Sequence, residues 1–265
     1  MFVALFFISF IVLSNVVVSV LPVDINRELI QKLSFILQTI SVILSILLIY
    51  AIFDRKKDLY IGWGQKNKFR LLIEGCIWGI ACITTTFILL WALKGIRVTA
   101  ISFDRNVLSS LSFPFILYMF VAVNEELLSR GYFYGLIKRD FGWRISIIAS
   151  SIIFSILHIS NPSILQSPFP LLNLFLAGIL FGVAREVTDG LWVPIGIHFT
   201  WNFFLGNVYG LAVSGMDIGG SIIKTEVVGN QLITGGGFGP EGSIIATIVI
   251  TMFTIAIWRW YRKKG

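Results

Sequence analysis

The sequence predicts an all-α fold: a polytopic membrane protein with about eight transmembrane helices enclosing a polar intramembrane cavity. Three observations carry that expectation. Apolar residues come in runs of roughly 20, the length that crosses a hydrocarbon core. Basic residues gather at the ends of those runs rather than along them. The few ionisable residues inside the runs are concentrated in three of them, which is costly unless they meet around a site. With 56% hydrophobic against 13% charged residues and a mean hydropathy of +0.87, a soluble domain would have no means of covering its apolar surface. The whole chain, 1–265, reads as one integral domain.

The runs fall at 2–21, 33–53, 71–93, 111–137, 143–159, 164–184, 191–213 and 243–260. The first has no Lys or Arg ahead of it and no clear small-residue cleavage site, so it reads as a retained helix rather than a signal peptide. The third holds both cysteines, Cys76 and Cys82, which read as small buried hydrophobes. The connection 54–70 sets Tyr60, Ile61 and Trp63 among charges, and reads equally as a segment in the membrane interface or as an ordinary loop. A longer connection, 215–242, is rich in glycine and ends in Gly239-Pro240-Glu241-Gly242. Unpaired backbone of that kind cannot face lipid, so the segment lies outside the bilayer or caps a cavity. Neither an internal repeat nor a matched pair of interrupted helices points to an inverted-repeat transporter.

The net charge of +7 could suggest nucleic acid, but its distribution argues against that partner and for the lipid bilayer. Basic residues cluster from Arg55 to Arg70, at Lys138, Arg139 and Arg144, and in the tail at Arg259, Arg262, Lys263 and Lys264. With an even number of spans these three clusters share one side, which the positive-inside rule makes cytoplasmic, and both termini go with them. Lys94, Arg97 and Arg105 fall on the opposite side. The expected location is the cell membrane, as a multi-pass protein.

The fourth span carries Glu125, Glu126 and Arg130. On a helix Glu126 and Arg130 share a face and can neutralise one another, while Glu125 is rotated by about 100° and left available as a base. The structural alternative is an ion-pair cluster between helices. In the fifth span Phe154 and His158 share a face, so the ring can wall the imidazole from lipid. In the seventh, His198 and Asn202 share a face and offer N–H groups that can converge on one oxygen, as an oxyanion hole requires. Each pair alone reads as readily as packing. Both histidines, an unpaired glutamate and an asparagine on three helices read as a site.

These residues resemble the CPBP intramembrane proteases, a family that includes type II CAAX prenyl endopeptidases, bacteriocin-processing or self-immunity proteins and abortive-infection relatives. Its signatures Glu-Glu-x-x-x-Arg, Phe-x-x-x-His and His-x-x-x-Asn occur in order, in separate spans, as Glu125-Glu126 with Arg130, Phe154 with His158, and His198 with Asn202. The resemblance covers roughly 111–202, the motif-bearing core. The run from Gly235 to Glu241 also looks like the family's late loop. The resemblance implies hydrolysis of a peptide bond in a CAAX-type tail, a bacteriocin or other leader peptide, with a peptide or lipidated peptide as substrate. Glu125 would activate water, His158 would help hold it, and His198 and Asn202 would stabilise the oxyanion. Glu126 and Arg130 would hold the helix, with Phe154 in support. A rival chemistry makes Glu125, His158 and His198 the ligands of a catalytic zinc. No His-Glu-x-x-His helix is present, so the expectation is catalysis without a cofactor. The CAAX-processing relatives open to the cytosol.

Two other classes stay open: a non-catalytic self-immunity or scaffold protein, and a transporter with a buried proton or ion relay. Peptide cleavage by the purified protein separates the first reading from both, and pH-gradient-coupled uptake identifies the transporter. One tension is geometric. Counted from the cytoplasmic ends, Glu125 and His158 lie about 20 Å deep but His198 only about 10–12 Å.

Overall fold

The computed structural model describes Ile8, Val12 and residues 27–54 and 59–263, so the span expected at 2–21 lies, apart from those two residues, outside the described residues. The rest is mainly helical. In chain order come α1 (Arg27–Ile49, continued by a π-helical turn Tyr50–Asp54), α2 (Lys68–Ala92), β1 (Ile96–Ile101), the short α3 (Arg105–Ser110) and α4 (Ser112–Glu126). A second π-helical turn, Leu127–Phe133, leads from α4 into α5 (Tyr134–Leu157). Then follow α6 (Phe169–Thr188), α7 (Trp192–Phe203, with a π-helical turn Phe204–Val208), β2 (Ile223–Val227), the single turn α8 (Gln231–Thr234) and α9 (Ile244–Arg262).

Among the described residues, four helical stretches are long and apolar enough to cross a membrane: Lys68–Ala92, Arg105–Leu157, Phe169–Thr188 and Ile244–Arg262. The 53-residue stretch is not one rod, because Gly142 (φ 76, ψ 169) breaks it inside α5. Partners on α6 give the direction of each half. Arg130 and Lys138 reach Gly178 and Glu186, so the chain runs alongside α6 up to the turn. Beyond it, Ile147 packs at Gly182 and Ser151 at Gly178, so the chain runs back. The backbone region at Gly142 is almost closed to residues with a Cβ. Gly142→Ala, although nothing crowds the new methyl group, is therefore expected to cost about 1–3 kcal/mol, read as a lowered denaturation midpoint in detergent.

Two of the expected spans change shape. The helix expected at 164–184 begins only at Phe169, after a turn-rich stretch, with Pro170 in its first turn. The span expected at 191–213 keeps helical geometry to Val208 and then leaves it. α7 makes up for its length by unusually close packing on α2. A Cβ added to Gly75 would lie 2.3 Å from the Val193 carbonyl oxygen, and one on Gly196 2.4 Å from that of Leu72. Small residues of this kind let two backbones touch, and here they fix the height and rotation of α7.

The ends of the bundle differ. At one end Trp63 meets Trp192, Trp143 meets Trp258, Lys138 pairs with Glu186, and Tyr261 bonds Glu74. The described basic residues of the three clusters therefore gather at this end. Residues 59–67 are mostly non-helical and cross it, pinned where Gln65 donates to the Thr188 carbonyl and Tyr60 to that of Asp189. At the other end β1 and β2 form an antiparallel pair, Ile96 opposite Val227, with a bulge between Val98 and Ala100. The glycine-rich connection carries β2 and folds back so that Pro240–Gly242 reaches the interior.

Candidate active site

The three motif helices bring their polar residues to one point. Glu126 is fully buried, and its Oε1 accepts from Arg130 Nη1 at 3.2 Å and from His198 Nδ1 at 2.9 Å. The i, i+4 pair expected from the sequence is thus present, and the same carboxylate oxygen also orients the second histidine. Arg130, also fully buried, donates from Nη2 to the Gly178 carbonyl and lies over the Phe154 ring at 4.3 Å. Desolvating two opposite charges this completely is tolerable only because each is bonded to the other and to a further partner.

Glu125, on the adjacent helical position, points elsewhere. Its side chain is 29% exposed, and its Oε2 lies 3.5 Å from His158 Nε2 and 3.9 Å from His198 Nε2. That oxygen is itself buried and has no hydrogen-bond partner among the described residues. His158 caps the end of α5, and its Nδ1 is 2.8 Å from the Phe154 carbonyl. A carbonyl only accepts, so Nδ1 carries the proton and a neutral ring turns the lone pair of Nε2 toward Glu125. Phe154 thus serves His158 through its backbone carbonyl and through its ring, whose centroid lies 4.7 Å from that of the imidazole, and the same ring covers Arg130. Phe181 stacks on His198 at 4.9 Å.

Asn202 sits one turn beyond His198 and lines the same cavity, and no hydrogen bond holds its side-chain amide among the described residues. Truncating it to Ala is expected to lower turnover about 10²-fold with little change in KM, a split measured by steady-state kinetics. The cavity, of about 510 Å³, is predominantly apolar in its lining and takes its walls from α1, α4, α5, α6, α7, α9 and the glycine-rich connection. An apolar pocket with a few convergent polar groups is the usual form of a small-substrate or peptide site.

Sequence reasoning gave no role to Glu241, which lines this cavity. Its Oε1 accepts from Trp201 Nε1 at 2.9 Å and its Oε2 from the Ser214 hydroxyl at 2.9 Å. Burial raises the pKa of its carboxyl, while the bonds from Ser214 and Trp201 pull the other way. Asn173 ties this turn to α6 by donating to the carbonyls of Glu241 and Ser243. The signal available was a lone carboxylate in a glycine-proline run directly before a helix.

Glu125, His158 and His198, the set a zinc ion would need, surround one oxygen. Both imidazoles commit Nδ1 to an acceptor, as metal-bound histidines do. Yet no group of three His, Cys, Asp or Glu side chains among the described residues is arranged to hold a metal ion.

Residues 107–204 match the family model described as type II CAAX prenyl endopeptidase Rce1-like, a membrane-embedded protease family. The matched segment contains all three signatures, from Glu125 to Asn202. No curated protein and no solved structure matches the chain.

Proposed function

We propose that this integral membrane protein is an endopeptidase that hydrolyses a peptide bond inside the cavity, using water activated by Glu125. The observation that carries the reading is a short gap between the unpartnered Glu125 Oε2 and His158 Nε2, 3.5 Å apart, both of which accept when the ring is the neutral Nδ1–H tautomer. Two acceptors at that spacing hold a water well, since it can donate one O–H to each. As the water attacks the carbonyl carbon, its proton passes to Glu125, and the carbonyl oxygen becomes the oxyanion. The Asn202 amide is free to donate to that oxygen. His198 spends Nδ1–H on Glu126, so it adds an N–H from Nε2 only as an imidazolium, with Glu125 and Glu126 together facing the two cations His198 and Arg130. When the tetrahedral intermediate collapses, Glu125 returns the proton to the leaving amine and the C–N bond breaks.

Glu126 and Arg130 position this machinery rather than touch substrate. The apolar walls suit an extended peptide with a hydrophobic or lipidated side chain. Purified protein in detergent, given a library of hydrophobic peptides, is expected to release cleavage products and to continue after exhaustive chelation. Cleavage that stops with metal removal and returns with zinc would replace the glutamate base by a metal-bound water. Failure to cleave, together with pH-gradient-coupled uptake in vesicles, would make the buried carboxylates a relay.

A further inference from the structure

The position of the cavity along the bundle assigns it a side of the membrane. Its exposed wall residues, Leu157, Met216 and Gln38, and its roof at Asn161, Ser214 and Glu241, belong to the half that ends in the β1–β2 pair. Toward the basic end it is closed twice. The first layer is the fully buried Glu126–Arg130 pair with Phe154 and Phe181. The second is the 59–65 segment, which packs Leu59 and Ile61 onto Gly135 and Gly131 and lies over the buried Arg185. A Cβ on Gly131 would come within 2.8 Å of Ile61, so no passage runs between them.

The basic end carries Lys66, Lys68, Arg70, Lys138, Arg139, Arg144, Arg259, Arg262 and Lys263, against Arg27, Lys32, Lys94, Arg97, Arg105 and Lys224 at the β end. That bias, within a few residues of the helix ends, is what places a face in the cytoplasm. The Trp63–Trp192 and Trp143–Trp258 pairs mark the interface level on the same face.

We infer that the cavity opens to the non-cytoplasmic side, and that its substrate is a peptide segment already exported or exposed at the outer surface rather than a cytosolic lipidated tail. This deepens the peptidase reading and rests on it for the word substrate, but the sidedness stands on charge and cavity position alone. It also runs against the cytosolic opening that the family resemblance implies.

The test is cysteine accessibility in spheroplasts of an expression host, with a membrane-impermeant maleimide. Met216→Cys and Val228→Cys report the β end, where both side chains are exposed. Gly64→Cys and Phe141→Cys report the basic end; a Cβ at Gly64 meets nothing within 4 Å, and Phe141 is 65% exposed. The parent protein, whose Cys76 and Cys82 lie within α2, sets the blank. Near-complete labelling of the β-end pair in intact spheroplasts, with the basic-end pair labelled only after permeabilisation, is the expected result. Labelling of Gly64→Cys or Phe141→Cys from outside, or of the β-end pair only after permeabilisation, would overturn it. Two reporters at each end keep the reading intact if one variant fails to fold. Labelling requires no turnover, so a protein that labels as expected yet cleaves nothing defeats the peptidase reading and leaves the sidedness standing.

Discussion

Replacing Glu125 by Gln is expected to lower peptide turnover by about 10²–10⁴-fold while leaving the denaturation midpoint nearly unchanged. The amide fills the same volume at a side chain that is partly exposed and bonded to no other group through Oε2, so little native structure depends on its charge. What it cannot do is take a proton from water. The measurement is turnover of a cleaved peptide alongside a thermal unfolding curve. Full activity in the variant would remove Glu125 from the role of base, whatever the state of the fold.

Glu126→Gln should behave in the opposite way. Its charge is buried at zero exposure against Arg130, which has no route to solvent. Removing one partner of such a pair leaves an uncompensated buried charge, at a cost of about 3–5 kcal/mol. The double variant Glu126→Gln, Arg130→Met should recover much of that loss, because the penalty belongs to the orphaned guanidinium rather than to the missing bond. Activity should stay low in both, since His198 loses the carboxylate that orients it. A midpoint that hardly moves in the single variant would show that Arg130 finds other compensation at Gly178 and over Phe154.

The membrane class and the motif constellation were legible in the sequence for a physical reason: burying charge in lipid is so costly that the exceptions are conspicuous. Glu126 with Arg130 followed from helix periodicity alone. The turn at Gly142 was legible too, as a glycine amid Lys138, Arg139 and Arg144 between two apolar runs. Contacts between distant segments were not. Nothing local says that Glu126 serves His198 as well as Arg130, or that His158 ends its helix against a carbonyl of its own turn. Glu241 escaped because a glycine-rich segment has no periodicity from which to read a face. The depth mismatch between Glu125 and His198 goes with staggered helix ends: the fourth span runs past the expected 137 to the turn at Gly142, α7 starts at Trp192 close to the expected 191, and yet the side chains meet.

The π-helical turn Leu127–Phe133 begins directly after the glutamate pair, and a second, Phe204–Val208, follows soon after Asn202. Each such turn holds one residue more than an α-helical turn, which offsets the helix phase by about 100° between its two sides. The α4–α5 and α7 rods are therefore spliced, one phase aiming polar groups inward at the chemistry and another matching an apolar stripe to neighbours and lipid. A single inserted residue is enough to make such a splice, and a single deletion is enough to erase it. Homologous helices that differ in length by one residue at these points would carry the same motif letters on a different azimuth, so identity of the signature alone does not guarantee that the groups converge.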